Sequence, residues 1–235
     1  MNKWIAAGFM LAIYFAIQGL IELLRIAPRV LSVRQLHEYE WISFYEHHFW
    51  QLILALIAIG IFSRGKFSAW GLNLRNHEIA IRILVRFMGI YSLIILAVNV
   101  LPFVVRHHPP TFSYPLSVTN VTCWLVYMGL FVGVSEEILF RGLIHTYLAK
   151  TWIGVWKVKG IAVPSAGLVA TIIFCIAHVD SIHVNWAQQL FAFGLGIYYS
   201  TVYHRTGSLL NPILAHNYSD GIIYVALYST YFWLR

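Results

Sequence analysis

The stretch Val134-Ser-Glu-Glu-Ile-Leu-Phe-Arg-Gly142 constrains this chain more than any other. Two adjacent carboxylates and an arginine sit inside a segment, residues 121–148, that otherwise reads as membrane-spanning helix. A charge at the bilayer centre costs about 2.5–3.5 kcal/mol even on a lenient insertion scale, so such groups face a bundle interior or a wet cavity. On a helix Glu137 and Arg141 are four apart, share a face and can pair. Glu136 points about 100° away from Glu137 and is left without that cation. The asymmetry suggests one glutamate held ionised by the arginine and the other free to handle protons.

The rest of the chain reads as the scaffold for this site. Of 235 residues, 60% are hydrophobic and 11% charged, against about 25% charged in a soluble domain. This predicts an all-α fold, a polytopic transmembrane helix bundle forming one integral membrane domain over residues 1–235. Seven spans are expected, at residues 4–24, 42–62, 87–105, 121–148, 161–179, 186–203 and 208–234. An eighth, re-entrant or surface helix would change that count. The first run is long and lacks a small-residue cleavage pattern, so it reads as a retained helix rather than a signal peptide. Residues 78–86 are amphipathic and are expected along the membrane surface. Pro102 is expected to kink the end of the third span.

A net charge of +7 would suit nucleic acid. Here the lysines and arginines sit in short loops beside apolar spans, as topology signals and headgroup contacts. Ten fall on one side of a seven-span arrangement and five on the other, which puts the N-terminus inside and the C-terminus outside. The expected partner is therefore the lipid bilayer, with no nucleic acid. Cys123 and Cys175 fall in apolar spans and read as packing residues. Glu46, His47 and His48 resemble a ligand cluster, but Trp41 and Trp50 flank them as belt residues would, so an interfacial position is expected. His107 and His108, before Pro109 and Pro110, read as an exposed turn. Lys159 marks the loop before the fifth span, and Asp180, His183 and Asn185 form a short polar connection after it.

His178, His216 and Asp220 join Glu136, Glu137 and Arg141 as ionisable groups within apolar spans. His216 and Asp220 are four apart and share a helix face. Three chemistries are open to such a set. A carboxylate in an apolar cavity can act as a general base toward water, a histidine sharing the proton and other polar groups meeting an oxyanion. Glu136, His178, His216 and Asp220 would also suit a divalent metal such as zinc. Carboxylate and histidine chains serve equally as relays in a proton-coupled transporter. His37-Glu38 and His77-Glu78 lack the second histidine of H-E-x-x-H.

Three short patterns then stand in order: Glu136-Glu137-Ile-Leu-Phe-Arg141, Phe174-Cys-Ile-Ala-His178 and His216-Asn-Tyr-Ser-Asp220. Together they resemble the CAAX protease and bacteriocin-processing (abortive-infection) family of intramembrane proteases. The resemblance covers a core at about residues 121–224, and Trp70-Gly-Leu72 is similar to a segment often seen before it. It implies an endopeptidase cutting a membrane-associated peptide or protein, with Glu136 activating water and His178 assisting. His216 and Asp220 would line the oxyanion side, while Glu137, Arg141 and Phe174 support. CAAX-processing relatives carry asparagine at the last position. An ionised Asp220 cannot donate to an oxyanion, but it could orient His216, be protonated, or bind metal. Non-catalytic alternatives are a membrane bacteriocin-immunity or binding protein. Small size and compact loops suggest a bacterial inner membrane.

Depth gives one further expectation. Glu136 lies about 21 Å from Lys150 and Asp220 about 18 Å from Ser208, but His178 would lie about 27 Å from Gly160. The fifth helix must therefore start well inside the membrane or tilt strongly.

Overall fold

The computed structural model describes residues 2–158, 160–179 and 184–235. Lys159, Asp180 and His183, named above as loop residues, lie outside the described residues. Among the described residues, seven helices of 13 residues or more fall at the seven expected places: α1 Lys3–Leu24, α2 Glu40–Ser63, α3 His77–Arg106, α4 Val118–Leu148, α5 Ser165–Ala177, α6 Trp186–Thr206 and α7 Leu210–Leu234. Among the described residues four of them, α1 to α4, are long and apolar enough to cross a membrane. The other three differ for local reasons. α5 has 13 residues, short of the roughly 20 that a bilayer core asks for. α6 and α7 carry amides, hydroxyls, His216 and Asp220.

Each helix has a local cause. Asn2 caps α1 by accepting from the Trp4 N–H at 2.9 Å, and Ser117 caps α4 by accepting from the Asn120 N–H at 3.2 Å. α1 buries Ala6, Met10, Tyr14, Ile17 and Ile21, a stripe at helical spacing. Its other faces, like much of the bundle, present large apolar side chains outward; Leu93 is 67% and Leu190 72% exposed. Apolar surface on that scale needs lipid around it. The main core joins α1, α2, α4 and α5, with Trp70, Tyr203 and Leu209 at one end.

Two expectations are corrected by continuous helix and by strand. Residues 78–86 do not form a separate surface helix; they open α3, which runs unbroken to Arg106. Pro102, lacking an N–H, is accommodated by a wide i→i+5 turn at Leu96–Val100 just before it. The fold is also not purely helical. Val155–Val158 (β1) and Ile161–Pro164 (β2) pair antiparallel, with Val158 opposite Ile161. Four β-branched residues flank Gly160, whose φ of +80° suits a tight turn. The hairpin takes the residues expected to begin the fifth span, and α5 starts at Ser165. His178 then lies about 20 Å along its helix, level with Glu136 and Asp220 on their own.

One end of the bundle gathers the basic loops. The Lys3 carbonyl accepts from Trp152 Nε1 at 2.8 Å, and the Lys150 ammonium lies 4.7 Å over the Trp70 ring. Gly71 has φ +88°, and a Cβ there would meet Tyr203 at 2.5 Å and Leu209 at 2.9 Å. Its carbonyl accepts from the Leu209 N–H at 2.9 Å. The Trp70-Gly-Leu72 turn thus seats against the α6–α7 connection and fixes where α7 starts.

Candidate active site

α4 is built to hold charges inward. Between two wide turns, Tyr127–Phe131 and Ile138–His145, lies one regular stretch, Val132–Glu137. Wide turns of this kind cluster at functional sites. Asn217 on α7 grips the first of them: its Oδ1 accepts from the Gly133 N–H at 2.8 Å and its Nδ2 donates to the Leu130 carbonyl at 3.1 Å. A Cβ on Gly133 would lie 2.6 Å from that Oδ1 and 2.9 Å from the His216 Cβ. Glycine is what lets α7 come this close.

The expected ion pair is present and fully buried. Arg141 Nη1 donates to Glu137 Oε1 at 2.8 Å, and Nη2 donates to the Gly196 carbonyl at 3.0 Å. The guanidinium lies 4.7 Å from the Phe174 ring and 5.2 Å from the Tyr199 ring. Phe174 thus meets the guanidinium in a cation–π contact.

His216 extends that pair into a network. Its Nδ1 lies 2.7 Å from Glu137 Oε1, and its Nε2 lies 3.4 Å from Asp220 Oδ2 and 3.6 Å from Glu136 Oε2. Every one of these partners is a carboxylate oxygen, so both ring nitrogens face acceptors. The ring stacks on Tyr199 at 5.1 Å and 15°. Asp220 thus lies beside the Nε2 edge of the His216 ring.

His178 follows the last residue of α5. Its Nδ1 lies 2.8 Å from the Phe174 carbonyl, which can only accept, so Nδ1 carries a proton, and Nε2 has no hydrogen-bond partner among the described residues. Its ring packs on Phe174 at 4.4 Å. Glu136, His178 and Asp220 sit where two cavities adjoin. One, of about 440 Å³, is lined by Gln18 of α1, Arg25 just after α1, and His47 and Gln51 of α2, among others. The other, of about 350 Å³, lies toward α3, α6 and α7 and is lined by Ile95, Phe191, Leu195 and Ile223. The three residues line both.

The second helix holds a residue that the sequence reading misplaced. His48 is not an interfacial side chain; it is buried, and its Nε2 lies 3.1 Å from Glu136 Oε1. Tyr127 Oη lies 2.7 Å from His48 Nδ1. Its neighbour Glu46 turns elsewhere, accepting from the Ala27 N–H at 2.9 Å. The missed signal was helical spacing: His48, Gln51, Ala55 and Ile59 form one buried stripe. His107, by contrast, is an exposed turn residue, as expected.

The four residues expected to suit zinc do not converge as ligands. Among the described residues no group of three or more histidines, cysteines or carboxylates is arranged to hold a metal ion. His216 has Glu137 against Nδ1 and two carboxylates against Nε2, so both ring nitrogens face acceptors rather than a common ligand point. The residues present do not fit the metal.

The fold and this centre define an α-helical integral membrane protein with a buried acid–imidazole site. Residues 118–222 match the model of the family described as Rce1-like, Type II CAAX prenyl endopeptidase. That segment, a little under half of the chain, is similar to the Rce1-like family. The segment carries all three sequence patterns. At family level this supports an intramembrane CAAX-type endopeptidase. No curated protein and no solved structure matches the chain.

Proposed function

We propose that the chain is an intramembrane endopeptidase in which Glu136 activates the attacking water. The Glu136 carboxylate takes one proton as the water oxygen bonds to the scissile carbonyl carbon. When the C–N bond breaks, that proton goes to the leaving amine nitrogen. His178 offers Nε2 to hold the water. His216 faces the developing oxyanion through Nε2 and is oriented by Glu137 and Asp220. Glu137, Arg141 and Phe174 keep this frame in place. No step is routed through a metal.

The observation that carries this reading is the position of Glu136, in the wall shared by two cavities, one reaching the polar groups of α1 and α2 and the other reaching apolar side chains of α3 and α6. Water reaches it from one side and an apolar peptide segment from the other. The substrate class is a membrane-associated peptide or protein, prenylated or not. The setting that the short loops fit is a bacterial inner membrane, with all seven long helices crossing.

The test compares wild type with Glu136→Gln at equal protein levels. An internally quenched prenylated CAAX peptide is the probe in vitro, and membrane proteomics for lost peptide termini is the probe in cells. Loss of cleavage by about 10³-fold or more is expected on removing the general base. If the variant cleaves as wild type does, the mechanism fails. If termini are unchanged while bacteriocin protection persists, the chain is an immunity or binding protein instead.

A further inference from the structure

The two oxygens of Glu136 have unlike surroundings. Oε1 lies 3.1 Å from His48 Nε2. Oε2 is buried with no hydrogen-bond partner among the described residues, and the nearest ion-pair contact is His216 Nε2 at 3.6 Å. His48 comes from α2, outside the segment that matches the family. None of the three sequence patterns includes it.

We propose that His48 is a positioning residue for Glu136, held in turn by Tyr127, and that it divides the work between the two carboxylate oxygens. A carboxylate accepts and cannot donate. His48 Nε2 must therefore carry the proton that bonds Oε1. Nδ1 lies 2.7 Å from the Tyr127 hydroxyl and 3.1 Å from the Phe44 carbonyl, so the far edge of the ring is held from two sides. Tyr127 and Phe44 thus fix the ring at Nδ1, and His48 Nε2 donates to Glu136 Oε1. One oxygen is thereby pinned and the carboxylate plane is fixed. Oε2 is the oxygen left to take the proton from water.

The surroundings favour geometry over mere filling of space. The His48 ring meets the Tyr127 ring edge-on at 5.4 Å. Tyr127 is itself wedged between Tyr45 at 4.9 Å and Trp124 at 5.5 Å. A rigid aromatic wall thus sets the imidazole, and the imidazole sets the base. Without the pin, Glu136 can rotate about its last torsion, which is broad and soft, and misaligned groups can cost about 10²-fold in rate.

This inference rests on Glu136 being the base, and the experiment separates the two. The full-length protein in nanodiscs is assayed on the quenched prenylated peptide as wild type, Glu136→Gln, His48→Phe, His48→Gln and Tyr127→Phe. His48→Phe is expected to lower kcat about 10²-fold with KM within about threefold, because orientation and not binding is lost. His48→Gln keeps an N–H able to reach Oε1 and should recover about tenfold of that, with Tyr127→Phe losing about threefold to tenfold. A second readout needs no turnover: the infrared carboxylate band of Glu136 in isotope-labelled protein, identified by its loss in Glu136→Gln. That band should shift in His48→Phe and return toward wild type in His48→Gln.

Full kcat in His48→Phe, or a rise in KM alone, overturns the positioning role while an inactive Glu136→Gln leaves the base standing. An active Glu136→Gln sinks the base itself. If wild type does not cut this peptide, the band decides, and an unmoved band in His48→Phe ends the proposal.

Discussion

Arg141 shows how much one buried side chain can be asked to do. It neutralises Glu137, donates to the Gly196 carbonyl of α6 and lies against Phe174 of α5. Removing one partner of a buried pair leaves the other charge uncompensated, at a cost of about 3–5 kcal/mol. Arg141→Met should therefore lower the melting temperature in detergent sharply. The double variant Arg141→Met with Glu137→Gln should regain much of that loss, because neither buried group then carries a charge. A double variant no more stable than the single one would contradict this account. Asn217→Ala probes a neighbouring contact. It leaves the Gly133 N–H and the Leu130 carbonyl without their amide, at about 1–3 kcal/mol, readable in the same melting assay.

At the scale of elements, the Gly71 turn offers a sharp test. A left-handed conformation costs an L-residue about 1–2 kcal/mol, and the Cβ would also press on Tyr203 and Leu209. Gly71→Ala should destabilise the fold by at least that amount in thermal melts, and an unchanged melting temperature would refute the docking described. The places of the helices were legible in the sequence because long apolar runs are their own signal. Glu137 with Arg141, and His216 with Asp220, were legible because four-residue spacing on a helix implies contact. The hairpin was not, since Val155 to Pro164 mixes β-branched residues with an apolar run that continues directly into α5, and a short run has no decisive period. Nor was His48: flanking tryptophans spoke for the interface, whereas its burial depends on which face of α2 meets α4. That choice is made by packing between distant helices, which local sequence does not encode.

For the whole molecule, seven crossings would put the two ends of the chain on opposite faces of the membrane. Single cysteines at positions 2 and 235, in a background lacking Cys123 and Cys175, should be labelled by an impermeant reagent from opposite sides of sealed vesicles. Labelling of both from one side would require an even number of crossings. The bundle also separates its tasks in space. The groups proposed for the reaction stand mainly on α4 and α7, and Asn217 rivets those two helices together beside His216. The second cavity draws Ile95 from α3 and Phe191 and Leu195 from α6. On the proposed reading, a change of guest would come through substitutions on α3 and α6, leaving the riveted contact between α4 and α7 as it is.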